Sequence, residues 1–106
     1  MIEKGDIVIS YSNVYVYLRS IENTMGVIYD YLYIAEFNST FTDVSLSTLR
    51  TYELRDDKLS DTEILELSKF LFKTKKYMEV SSAIEYHDVP NKLINIRERN
   101  LKWLLE

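Results

Sequence analysis

The sequence predicts an α+β domain: a small antiparallel sheet of four to five strands, followed by two or three C-terminal helices. Three observations carry this expectation. Gly26 to Phe37 is dense in β-branched and aromatic residues, which suit a pleated, half-buried surface. Ser60 stands three residues before Glu63 at the head of an apolar repeat of helical spacing, which is a capped helix start. Strand signals come first and helix signals second, an order that goes with segregated layers. A length of 106 residues suits one domain, 1–106, with a β-layer over 1–54 and a helical layer over 60–106.

Ile2 to Ser10 opens the sheet, with Lys4-Gly5-Asp6 as a turn before Ile7-Val8-Ile9. Tyr11-Ser12-Asn13 turns the chain. Val14 to Ile21 then alternates Val14, Val16 and Leu18 with Tyr15, Tyr17 and Arg19, so a strand places the two sets on opposite faces. Glu22 to Gly26 suits a hairpin connection. The strand from Gly26 is central, because both its faces are largely apolar. Val27, Tyr29, Tyr31, Tyr33 and Ala35 share one face, and Ile28, Asp30, Leu32, Ile34 and Glu36 the other. Phe41-Thr42 starts a short fourth strand. Asp43 to Leu49 reads as one helical turn, since its Asp and Ser residues favour local side-chain-to-backbone bonds. Arg50 to Leu54 is a short fifth strand, and Arg55 to Lys58 a charged loop.

The first helix is expected over Asp61 to Met78, capped by Ser60 and striped by Ile64, Leu67, Leu71 and Met78. Asp61 and Glu63 complement its dipole at the start, and Lys73, Lys75 and Lys76 near the end. Val80 to Tyr86 reads as a short helix capped by Ser81 or Ser82. Pro90 suits the first turn of a third helix, with Asp88 as its cap. That helix runs from Asn91 to the end, with Trp103 as its largest anchor.

Residues 5–54, as strands with a helical turn before the last, resemble an SH3-like barrel, in which a single 3₁₀ turn commonly joins the last two strands. A second likeness is one of layout. Gly5-Asp6-Ile7-Val8, Leu49-Arg50 and Asp61-Thr62-Glu63-Ile64 resemble small bacteriophage accessory proteins. The resemblance implies a small virus-encoded binding protein without catalytic residues.

Composition narrows the chemistry. The chain has no cysteine, which excludes disulfides and thiolate metal sites. One histidine leaves only carboxylates for zinc. Gly5 and Gly26 stand alone, so no phosphate-binding loop is present. Asp56, Asp57 and Asp61 lack the spacing and glycine of an EF-hand loop. His87 with Asp88 reads as a surface turn, because catalysis needs a nucleophile and an oriented base. The expectation is therefore no enzyme, no cofactor and no metal. No apolar run has the length of a signal peptide or a membrane span, so a soluble cytoplasmic protein without a membrane partner is expected.

Charge and tyrosine point to binding. Residues 1–68 hold five Lys/Arg against twelve Asp/Glu, a net of −7, while 69–106 carry +3. They also hold seven of the nine tyrosines. Tyr15 and Tyr17 on one strand and Tyr29, Tyr31 and Tyr33 on the next form a ladder if the strands pair. Exposed, it would bind a protein or stack on bases; the C-terminal helices need a surface and are expected to cover most of it. The leading expectation is a non-enzymatic phage-type accessory protein or inhibitor. It would occupy the basic surface of a host protein or defence complex. The residues assigned to that contact are Tyr11, Tyr15, Tyr17, Asp43, Tyr52, Glu53, Asp56 and Asp57. The alternative is a nucleic-acid-binding regulator using Lys73, Lys75, Lys76, Arg97 and Arg99. A homodimer through the last helix is a further option.

Overall fold

A computed structural model describes residues 1–94. The strands are β1 (Ile7–Ser10), β2 (Asn13–Asn23), β3 (Gly26–Asn38), β4 (Thr40–Thr42) and β5 (Ser47–Thr51). The helices are α1 (Asp61–Lys73) and α2 (Tyr77–Tyr86), and residues 92–94 begin another helical stretch. The third helix expected from Asn91 lies for the most part, with Trp103, outside the described residues.

All pairing is antiparallel, in the order β1-β2-β3-β4, with β5 also on β3. The sheet is open, so the barrel form of the expectation gives way to an open five-stranded α+β sheet. The helical turn over Asp43 to Leu49 is also absent. Residues 43–46 are irregular, and β5 starts at Ser47 because Tyr29 to Tyr33 offers it an open strand edge. Beyond β1, the Ile9 N–H donates to the Asp57 carbonyl (2.9 Å) and the Leu59 N–H to that of Ile7 (3.0 Å). The chain thus leaves β5 on one side of the sheet and returns on the other, crossing one face over residues 52–56.

Two bulges set the faces. Val14 pairs with Ala35 and Tyr15 with Tyr33, so Ile34 is extra on β3. Tyr17 pairs with Tyr31 and Arg19 with Asp30, so Leu18 is extra on β2. Ile34 and Ala35 both join the helix-side core, and Arg19 moves to the face of Asp30. Strict alternation had put Ala35 and Arg19 with the tyrosines.

The helix-side core joins Val14, Val16, Leu18, Leu32 and Ile34 to Leu67, Leu71, Val80, Ile84 and Leu93. The Ser60–Glu63 capping box forms in both directions, at 2.9 and 3.2 Å. α1 stops at Lys73, short of Met78, in a Schellman cap. Lys75 takes φ +61°, its N–H donates to the Phe72 carbonyl, and that of Lys76 to the Leu71 carbonyl. The break restarts the helical phase, so Tyr77 is buried and Met78 exposed. α2 has no side-chain cap, so neither Ser81 nor Ser82 serves as one. Asn91, not Asp88, caps the following turn, accepting from the Leu93 N–H at 3.2 Å. None of the helices among the described residues is long and apolar enough to cross a membrane.

The N-terminal turn is locked to the C-terminal part. Gly5 has φ +90°, and a Cβ there would lie 2.4 Å from the Pro90 carbonyl oxygen. Asp6 is buried, accepts from the Glu3 N–H and pairs with Lys92. Burial alone raises its pKa, but the Lys92 bond, the Glu3 N–H and the charges of Lys92 and Lys58 together hold it below the usual value. Asp30 is also lowered, first by its bond to Arg50, against burial. Both carboxyls bind fewer protons folded than unfolded. Their contribution is full above the unfolded value of 3.8 and is lost as pH falls through the lower folded values. Urea unfolding from pH 6 to pH 2.5 is expected to show this loss, and Asp6→Asn with Asp30→Asn should flatten it.

Candidate partner-binding surface

The face away from the helices carries the tyrosine ladder. Tyr15 meets Tyr33 (5.5 Å between centroids) and Tyr31 (5.8 Å), and Tyr17 meets Tyr31 (5.7 Å) and Tyr29 (6.4 Å). The expected ladder forms, but the helices cover the opposite face. What covers the ladder is the crossing segment. The Arg55 N–H donates to the Tyr31 hydroxyl at 2.7 Å, and the Arg55 guanidinium lies 4.8 Å from the Tyr15 ring centroid and 5.7 Å from that of Tyr31. Burial pushes the Tyr31 phenol up, only partly offset by the Arg55 bond and charge. The buried Nε and Nη1 of Arg55 have no hydrogen-bond partner among the described residues. Sequence reasoning left Arg55 in a charged loop; nothing in its neighbours marks it as the residue that closes this face.

Beside Arg55 a groove of about 450 Å³ runs between the β1–β2 turn and the crossing segment. Tyr11, Glu53, Asp56 and Asp57 line it, so four of the residues assigned to partner contact meet here. Tyr52 is next in the chain and 58% exposed. Tyr15 and Tyr17 are buried in the ladder, so they support the surface from beneath and offer little of it. Asp43 is exposed but does not line the groove. It lies close enough to Tyr33 to help burial and Glu36 push that phenol up.

The β1–β2 turn presents Tyr11. Ser10 pairs with Asn13, leaving a two-residue loop in which Tyr11 (φ +50°) and Ser12 (φ +69°) are both left-handed. Such a loop favours Asn-Gly. A bulky residue there is strained by about 1–3 kcal/mol, and Tyr11 recovers little through packing at 86% exposure. Tyr11→Asn with Ser12→Gly is expected to raise stability by about 1 kcal/mol in urea unfolding.

His87 ends α2 with its ring edge-on to Tyr86 (5.4 Å), and Asp88 follows at φ +58°. Among the described residues no group of three or more His, Asp or Glu side chains is placed to hold a metal ion. No protein-family model, curated protein or solved structure matches the chain.

Proposed function

We propose that this is a non-enzymatic binding protein, of the phage accessory kind its layout resembles, that acts by occupying a basic surface of a host protein. One observation carries the reading. A strained, exposed Tyr11 is held on the rim of a groove that it shares with Glu53, Asp56 and Asp57. Strain without packing return is a mark of function. Tyrosine anchors an interface at low entropic cost, and the carboxylates steer a basic partner inward. Arg55 and the buried tyrosines hold the rim from below.

The test is capture from a host lysate with the intact chain and with a Tyr11→Ser, Asp56→Asn, Asp57→Asn variant, beside a titration of labelled DNA and RNA. The reading expects a protein held by the first chain and released by the variant, with no nucleic acid bound. Saturable binding of DNA or RNA by both chains would overturn it.

A further inference from the structure

On the helix-facing side of the sheet, Arg19 of β2, Asp30 of β3 and Arg50 of β5 stand in register across three strands. Arg50 grips Asp30 with both Nε (2.7 Å) and Nη2 (3.0 Å). Arg19 Nε approaches the same carboxylate at 3.4 Å. Asp30 is buried, whereas the arginine side chains are 48% and 63% exposed. One carboxylate thus neutralises one of two guanidiniums, and a positive charge is left over. Arg50 spends Nε and Nη2 on Asp30, whereas Arg19 reaches it only by the longer Nε contact. Beside them is a depression of about 280 Å³, bordered also by Leu18, Thr48 and Leu49.

We propose that this pair of arginines is a binding site for a tetrahedral oxyanion, a phosphate group above all. Asp30 is the positioning residue: it grips Arg50 with two bonds and draws Arg19 Nε to 3.4 Å, so both arginines border one depression before any ligand arrives. A carboxylate has its oxygens in one plane and matches a single fork, whereas a phosphate offers oxygens in several directions and serves both. The surplus charge favours an anion in a chain that is acidic elsewhere. The Leu18 bulge makes the site, since regular alternation would turn Arg19 to the other face.

The test is a titration of the whole chain with inorganic phosphate, O-phosphoserine and acetate at matched ionic strength, read on the arginine Nε–H resonances. Saturable shifts of Arg19 and Arg50 are expected with the two phosphates, with acetate weaker by about tenfold. Tighter binding of O-phosphoserine than of inorganic phosphate would identify a monoester as the source, and equal binding the free anion. Arg19→Gln and Arg50→Gln should each weaken binding by about tenfold. Should Arg50→Gln fail to fold, Arg19→Gln decides, because its exposed side chain makes the longer contact. Equal, non-saturating shifts with phosphate and acetate, or unchanged phosphate affinity in folded Arg19→Gln, would overturn the proposal.

Discussion

Tyr31→Ala is expected to destabilise the protein by about 3–5 kcal/mol, a large share of the ~5–15 kcal/mol typical of a small domain. Tyr31 is fully buried at the middle of the ladder. It touches Tyr15 and Tyr17, and its hydroxyl accepts the Arg55 N–H. The change therefore empties the second core and frees the segment that carries the acidic rim. Tyr31→Phe keeps the ring and leaves only the Arg55 N–H unpaired, so its cost should be about 1–3 kcal/mol. Urea unfolding of the two variants checks the order. A loss below about 1 kcal/mol for Tyr31→Ala would mean that the tyrosine face is not a core at all.

Deleting the chain from Asn91 onward is expected to cost at least as much. It removes Leu93, which is fully buried with Leu67, Leu71 and Val80. It removes Lys92, the closest cation to buried Asp6, and leaves that carboxylate with the Glu3 N–H at 2.7 Å and Lys58 at 3.9 Å. It also removes the Asn91 amide that donates to the Ser81 hydroxyl at 2.6 Å. The loss of Lys92 adds to this, by less than for a fully buried pair, because its side chain is 29% exposed. Leu93→Ala isolates the apolar part, at about 2–5 kcal/mol. An unchanged melting temperature in the deletion would show that the contacts of Asn91, Lys92 and Leu93 carry no stability.

Elements that announce themselves through composition were legible. The Ser60–Glu63 box and the Ile64, Leu67, Leu71 stripe stand as expected, and so does the central strand from Gly26. The departures come from single residues that shift a phase. A bulge inserts one residue without a compositional mark, so Ala35 and Arg19 were placed on the wrong face. The α1 cap puts Lys75 where glycine usually signals the end, and the helix was read through to Met78. At the surface, Tyr11, Glu53, Asp56 and Asp57 stand near strand ends in the sequence, and the structure brings them to one groove. Arg55 was not, because its role exists only once the chain crosses the ladder. The Arg19–Asp30–Arg50 register was hidden by the same bulge that creates it.

The most direct measurement compares association rates with the captured partner for two charge-altered proteins, both checked for folding. One carries Glu53→Gln, Asp56→Asn and Asp57→Asn. The other carries Lys73→Gln, Lys75→Gln, Lys76→Gln, Arg97→Gln and Arg99→Gln. The acidic-rim variant is expected to associate more slowly by about tenfold or more, with a flattened salt dependence, while the second keeps its rate. Loss of binding in the second protein alone would contradict the acidic-rim account.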